Sequence, residues 1–435
     1  MNRDISESKK IIQRVLDGSG GDATVVRVRQ FQEGATRYAN SEITQSVVRR
    51  DIAVEVEVAF GSQVGRCATN RLDADSVSAC VRRAEAIARV SPPDPEYMPP
   101  VEPAPCPEIA AYDPATADFS PTDRADAIRQ AVAIAERENM TGAGVVASRA
   151  LATAVGNSAG LFVQNQETDA VATFSATSPD SVGWAQGRVR HLASLDLAAI
   201  AGHAIEKARA GHSPRDLEPG RYEVILEPAA VGELLGYLFF YQMDAKATDE
   251  GRTFLSGKKG TRIASPKVTI FSDPAQLSCP SRPFTDEGMT LRRINWIRNG
   301  VFESPVYSRF WAKKQGAAAT GIPTNIVMEG GPASVEEMIR ATRRGLLVTR
   351  FWYIRAVEPM RDLYTGMTRD GTFLIEDGRI VGPIKNLRFN ESVVRLLDNV
   401  ELLGDQKIIG MGMGPWVLAP FVKAREFNFT STTRF

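Results

Sequence analysis

The stretch from Arg350 to Asn390 constrains this chain most. It reads R-F-W-Y-I-R, then Y-T-G-M-T-R-D-G-T-F-L-I-E-D-G-R-I, then I-K-N-L-R-F-N. β-forming residues dominate it, and Asp370-Gly371 and Asp377-Gly378 are turn signals, so it is expected to fold as strands joined by turns. Strands that only cover a core tend to alternate apolar and polar residues. Here Trp352, Tyr353, Arg355, Tyr364, Arg369 and Arg388 crowd together instead. Aromatics and arginine are the residue types that concentrate in binding surfaces. The stretch therefore points to recognition as well as packing.

A chain of 435 residues suggests two or three domains. With 43% hydrophobic and 24% charged residues it has an ordinary globular composition. Lys+Arg and Asp+Glu both number 52, so the net charge is zero. That balance gives no reason to expect nucleic acid or an anionic membrane as a direct partner, and it leaves association with another protein open. No apolar run approaches the ~18–20 residues that span a bilayer. The N-terminal M-N-R-D-I-S-E-S-K-K lacks the apolar core of a secretory signal. Cys67, Cys80, Cys106 and Cys279 show no C-x-x-C spacing, so reduced thiols and a cytoplasmic location are expected.

Helical spacing marks residues 5–17, 73–90, 121–138, 196–210 and 229–241, and Ser334 with Glu337 forms a capping box that opens a helix over 334–344. Strand patterning marks 23–30 and 51–59, and 142–176 reads as a β-meander. Pro-rich sequence runs from Ser91 to about Pro107, and Glu218-Pro219-Gly220 punctuates the chain. The expected fold class is α+β: an N-terminal mixed α/β domain over 1–215, then a mainly antiparallel β domain with few helices over 216–435. No internal repeat is visible.

Several short motifs invite catalytic readings that their context rejects. Gly156-Asn157-Ser158-Ala159-Gly160 matches G-x-S-x-G, but strand-like sequence follows where a nucleophile elbow needs a helix, so a hairpin turn explains it. Gly251 to Lys258 misses the phosphate-loop spacing by one residue, and Ser256 to Lys259 matches S-x-x-K without companion motifs. Gly410 to Pro415 has the wrong spacing for a dinucleotide fingerprint and reads as a turn before the last strand. Asp286-Glu287-Gly288, and Asp244, Asp249 and Glu250, read as exposed turns before they read as metal or acid–base sites. His191, His203 and His212 are the only histidines, and no two share a metal-ligand spacing.

Ordered pieces along almost the whole chain resemble the TldD/PmbA (TldE) family, modulators of gyrase and microcin processing. They include A-T-R-Y-A-N-S-E-I-T-Q, G-S-Q-V-G-R-C-A-T-N-R-L-D, R-Y-E-V-I-L-E-P-A-A-V-G-E-L-L-G, F-L-S-G-K-K-G, P-F-T-D-E-G, A-T-G-I-P-T-N and D-G-T-F-L-I-E-D-G-R-I. The resemblance implies two chain types. TldD-like chains carry H-E-x-x-x-H on the helix after the central strand and act as zinc metallopeptidases, helped by a later cysteine. PmbA/TldE-like chains lack that motif and pair with a TldD-like chain. Here the corresponding helix, Pro228 to Leu238, contains no histidine and one acidic residue, Glu233, and no cysteine follows Cys279. Alanine, valine and glycine cannot ligate zinc. The chain thus resembles the TldE type, and its expected role is a non-catalytic, metal-free subunit of a heterodimeric peptidase. Zinc is expected in the partner, and a peptide or peptide-like molecule as substrate. Trp352, Tyr353, Arg355, Tyr364, Arg369 and Arg388 are the candidate substrate- or partner-binding residues, some of them alternatively core. Two other readings stand beside this one: a subunit recruited to natural-product biosynthesis, and a non-enzymatic homodimeric binding or chaperone-like protein.

Overall fold

A computed structural model describes residues 5–410 and 415–433. The N-terminal half runs α1 (Ile5–Gly18), β1 (Ala23–Ala39), β2 (Glu42–Phe60), β3 (Gln63–Thr69), α2 (Ala74–Val90), α3 (Pro114–Ala117), α4 (Pro121–Arg137), β4 (Thr141–Asn157), β5 (Phe162–Ser178), β6 (Ser181–Val189) and α5 (Leu197–Ala210). Its six strands form one antiparallel sheet in the order β3-β2-β1-β4-β5-β6. Alternate residues of β1 and β2 (Val26, Val28, Val54, Val56, Val58) face α1 and α2, and Tyr38, Val146, Ala172 and Phe174 face α4 and α5.

This order is symmetric about the β1–β4 pair, which corrects the expectation of no repeat. α1-β1-β2-β3-α2 and α4-β4-β5-β6-α5 are two copies of one unit. Both repeat the same close approach of strand to helix. A Cβ on Gly65 of β3 would lie 2.0 Å from the Ala84 carbonyl oxygen and 2.4 Å from the Ala88 nitrogen of α2. A Cβ on Gly183 of β6 would lie 2.0 Å from the Ala204 oxygen and 2.4 Å from the Ala208 nitrogen of α5. Backbone meets backbone at both sites, so only glycine fits. The repeat escapes the sequence because it is carried by one glycine and two alanines per copy.

The C-terminal half runs β7 (Gly220–Leu226), α6 (Pro228–Gln242), α7 (Ala245–Asp249), β8 (Ile270–Ser272), β9 (Ile294–Arg298), β10 (Val301–Phe302), α8 (Arg309–Gln315), β11 (Asn325–Met328), α9 (Val335–Arg340), β12 (Arg344–Glu358), β13 (Leu363–Glu376), β14 (Arg379–Pro383), β15 (Leu387–Ser392), α10 (Val393–Asp398), β16 (Val400–Ile409) and β17 (Trp416–Thr432). β17 pairs with β11, β15, β16 and β7. Because β7 also pairs with β12, the series β17-β15-β13-β12-β7 returns to β17 and closes a five-stranded ring. Phe351, Phe389, Phe427 and Phe429 pack together, with ring centroids 4.6–5.5 Å apart. The fold is α+β, with two mainly antiparallel sheets.

Two local expectations need correction. The capping box at Ser334 and Glu337 forms, but the helix ends at Arg340, because strand β12 starts at Arg344. Asp370-Gly371 does not turn the chain. Both residues lie inside β13, at φ +58° and +127°, and bend the strand. The left-handed preference of Asp-Gly serves a kink there, and only Asp377-Gly378 makes the turn into β14. The Gly156–Gly160 motif does form a hairpin turn, in which the Asn157 side chain accepts hydrogen bonds from the Ala159 and Leu161 amides. Most of the Gly410–Pro415 segment, 411–414, lies outside the described residues.

The strand–helix contacts make a sharp prediction. Gly65→Ala and Gly183→Ala should each cost about 1–3 kcal/mol or more in a denaturant titration, the range for overpacking. Gly202→Ala in α5, where an added Cβ meets nothing within 4 Å, should be neutral or slightly stabilising.

Candidate functional site

The two sheets meet where β6 faces the start of β17. Arg188 and Arg190 lie over the Trp416 ring at 3.9 and 3.4 Å from its centroid. Arg190 Nε donates to the Pro280 carbonyl at 2.9 Å, and Arg188 Nη1 to the Gly410 carbonyl at 3.1 Å. Burial lowers both guanidinium pKa values, opposed by Asp169 and Glu167. Nearby, Asp286 binds Arg29 of β1 at 2.9 Å and Arg282 at 2.7 Å, and Glu287 binds Arg309 at 3.0 Å. Asp286 ties the halves together through Arg29, while Glu287 pairs within the C-terminal half. Asp244 caps α7, Asp249 accepts the Trp311 indole N–H at 2.7 Å, and Glu250 pairs with Arg252.

Beside this junction a ladder of alternating tryptophans and arginines has formed. The Arg350 guanidinium lies 4.3 Å from the Trp184 ring centroid and 5.4 Å from that of Trp352. Arg369 lies over the other part of Trp352, at 4.7 Å. Arg350 Nε donates to Asp370 Oδ2 at 2.8 Å, and its Nη2 is closer still to the same oxygen. The kink at Asp370-Gly371 aims that carboxylate at Arg350. Behind the ladder, Lys207 Nζ bridges Glu227 Oε2 at 2.7 Å and the Trp184 carbonyl at 3.2 Å, which fixes Trp184.

Glu233 of α6 completes the site. Protein crowds it on most sides, and desolvation pushes its carboxyl up to about 7, opposed by the charge of Arg350. Yet its side chain keeps open surface. Both hold where water reaches part of a group that low-dielectric matter otherwise crowds. The shift therefore bears on its charge near neutral pH. Among the described residues none gives Glu233 a hydrogen bond or ion pair. The arrangement offers a carboxyl poised to exchange a proton near pH 7, beside a flat cationic and aromatic wall. A separate open cavity of about 530 Å³ lies between Phe271, Arg293, Glu329 and Asp405. It shares no residue with this wall.

The structure divides the residues named from sequence. Trp352 and Arg369 join the ladder. Tyr353, at φ +57°, is a strand-bulge residue turned outward, and the Arg355 guanidinium lies 4.1 Å from its ring centroid. Arg388 is exposed on β15, in the row that pairs it with Met367 and Met367 with Trp352. Tyr364 is fully buried and receives a hydrogen bond from Gln242 Nε2 at 3.3 Å, so it packs the core and faces no cleft. Sequence reasoning passed over Trp184, Asp370 and the pairing role of Arg350. Trp184 gives no local signal, because folding alone brings it to the block.

α6, the helix at the metal-motif position, is apolar almost throughout: Ala229, Ala230, Val231, Gly232, Leu234, Leu235 and Leu238 are buried. Among the described residues no three His, Cys, Asp or Glu side chains gather as a metal site. The residues present do not fit zinc.

Two mainly antiparallel sheets, one closed into a ring beside an arginine–tryptophan ladder, define the class: a two-sheet α+β chain whose central helix carries no histidine or cysteine. Residues 219–430 match the PmbA/TldA metallopeptidase C-terminal domain. That half of the chain belongs to the TldD/PmbA family, as its motifs implied. A metalloprotease of Methanothermobacter thermautotrophicus is 25% identical over 281 residues, 59% of this chain and 60% of that one. The metalloprotease PmbA of Escherichia coli O157:H7 is 25% identical over 202 residues, 44% of this chain and 43% of that one. The chain thus spans only part of the length of these relatives. The crystal structure of TldE from Thermococcus kodakarensis superposes with a TM-score of 0.88 at 21% identity, over 98% of this chain and 100% of that one. That likeness establishes the fold.

Two measurements probe the site. Glu233 has a folded pKa above its ordinary 4.5, so folding favours its protonated form. The stability it contributes is present below pH 4.5 and is lost as pH rises through about 7. The melting temperature of Glu233→Gln minus that of wild type should therefore grow across that window and then level off. Arg350→Met should cost about 1–3 kcal/mol in denaturant unfolding by removing the closer of the two arginines, Arg350 and Arg369, that pair with the Asp370 carboxylate. It should also raise the Glu233 pKa further, read by NMR titration.

Proposed function

We propose that this chain is a metal-free, TldE-like subunit of a TldD/TldE-type zinc metallopeptidase, and that it forms one wall of the chamber in which a peptide or peptide-like substrate is cut. The observation that carries the reading is α6. A chain that binds zinc on this helix needs imidazoles on one face and a carboxylate to activate water. Here Ala229, Ala230, Val231 and Gly232 occupy the first turns and are packed into the core. In this reading zinc belongs to a partner carrying H-E-x-x-x-H, and the two chains form a heterodimer in the cytoplasm. The four free cysteines accord with that compartment.

The wall this chain supplies is the Trp184–Arg350–Trp352–Arg369 ladder with Glu233 at its foot. Arg369 keeps donors free for a substrate carboxylate or carbonyl, and the indole edges give flat apolar surface. Glu233 can hold an amine or accept a proton near neutral pH. None of these groups breaks a bond in this reading. They orient an extended chain for chemistry on the other subunit.

The test is reconstitution. The purified chain should carry no stoichiometric zinc and cleave no peptide. Mixed with a sister chain bearing H-E-x-x-x-H, it should form a stable complex with peptidase activity, and Arg369→Ala in that complex should raise KM more than it lowers kcat. One zinc per isolated chain would sink the proposal. Failure to bind any such sister would favour a free-standing binding protein.

A further inference from the structure

The internal duplication of the first sheet sets two thiols against each other. Gly65 of β3 stands on the backbone of Ala84 and Ala88, and Gly183 of β6 on that of Ala204 and Ala208. Two residues further along each strand, on the same face, come Cys67 and Ala185. One turn back along each helix, in the row that the paired alanines begin, come Cys80 and Ile200. The second copy shows that such residues meet, because Ala185 and Ile200 lie in one core cluster. In the first copy Cys80 lies in the core between the sheet and α2, and Cys67 packs against that same cluster. Cys106 and Cys279 stand in other clusters.

The surroundings of the two sulfurs differ. The backbone contact at Gly65 holds α2 closer to β3 than packing through side chains allows. Close spacing is what a disulfide needs, since it joins backbones whose Cα atoms are about 4–7 Å apart. Cys67 is half-buried and meets solvent, whereas Cys80 is buried. Burial, and after it the neighbouring Cys67 thiol, push the Cys80 thiol up to about 12, so Cys80 stays protonated at neutral pH. One sulfur is thus open to an oxidant, and the other waits behind it.

We propose that Cys67 and Cys80 form a reversible oxidation site, at which a hydroperoxide oxidises Cys67 and Cys80 closes the product to a disulfide. In the first step the Cys67 sulfur takes the terminal oxygen of the hydroperoxide. The O–O bond breaks, water or an alcohol leaves, and Cys67 becomes a sulfenic acid. In the second the Cys80 sulfur attacks the Cys67 sulfur, the S–O bond breaks, and hydroxide leaves with the Cys80 proton as water. Two thiols lose two electrons in all, and one hydroperoxide gains them. The cross-link fastens the edge strand β3 to α2. It involves neither the ladder nor α6, so it stands whether or not this chain pairs with a zinc-bearing partner.

Treating the folded full chain with excess hydrogen peroxide, then counting thiols after denaturation and mapping peptides by mass spectrometry, tests it. Of the four cysteines, two should be lost as thiols. The digest should contain one cross-linked pair, Cys67 with Cys80, lighter by two hydrogens, and dithiothreitol should restore all four thiols. The oxidised protein should melt at a higher temperature than the reduced one, because the cross-link restricts the unfolded chain. Cys80→Ala should stop the reaction at the Cys67 sulfenic acid, which dimedone traps. Cys67→Ala places the residue that the other copy has at this position, and should leave Cys80 reduced. Survival of all four thiols in wild type overturns the proposal. So does oxidation of Cys67 to a sulfinic acid with Cys80 untouched, a cross-link to Cys106 or Cys279, or loss of a thiol pair that persists in Cys80→Ala.

Discussion

The last strand holds the C-terminal half together. β17 pairs in parallel with β11 and antiparallel with β15, β16 and β7. Without it the ring of strands does not close, and Phe427 and Phe429 are missing from the aromatic cluster that Phe351 and Phe389 complete. Its first residue, Trp416, carries two buried arginines, Arg188 of β6 and Arg190 just beyond it. Closure of the ring and docking of the two halves therefore depend on the same strand. Such non-local pairing forms slowly, because chain closure must precede the contacts that reward it. Lys423, on this strand, shows how tightly the seam is specified. Its side chain is 3% exposed and lies between Glu223 of β7 and Glu401 of β16, whose hydrogen bonds and charges outweigh burial and raise its pKa.

Much of the fold was legible in the sequence because helix signals are local. Ser120 and Pro121 announced α4, Asp73 announced α2, and the proline-rich run after Ser91 marked a connector. The strands were legible as strands, but their length was not. β1 and β2 extend well past the apolar stretches that betrayed them, since their outer ends are exposed and carry no burial pattern. The internal duplication was hidden for a related reason. What the two copies share is backbone geometry, a glycine against two alanines, and neither residue type draws attention alone. Asp370-Gly371 misled because one left-handed dipeptide can end a strand or bend it, and the outcome is set by the partner strand.

The site was legible in part. The crowding of aromatics and arginines over Arg350–Asn390 drew attention to the block in which Arg369 stacks on Trp352. Tyr364 shows the limit of that reasoning. In a strand, the face a residue presents follows from register, and register follows from contacts distant in sequence. Trp184 could not be found at all from the block it completes, and Arg350 looked like any other arginine until Asp370 was seen to hold it.

The distribution of charge around α6 gives the site its character. Core residues occupy most of α6, and its acidic residue, Glu233, lies close enough to Arg350 to feel its charge. Desolvation by the surrounding protein disfavours the charged form of this carboxyl, although its side chain keeps open surface. Its surroundings leave it exposed enough to ionise and crowded enough to raise its pKa to about 7. That compromise suits a group that meets a ligand and serves no packing purpose. The same logic separates Glu233 from Asp169 and Asp370, which are paired with arginines and fix the walls. Among the described residues, Asp169 and Asp370 are neutralised by arginines, whereas no ion pair holds Glu233.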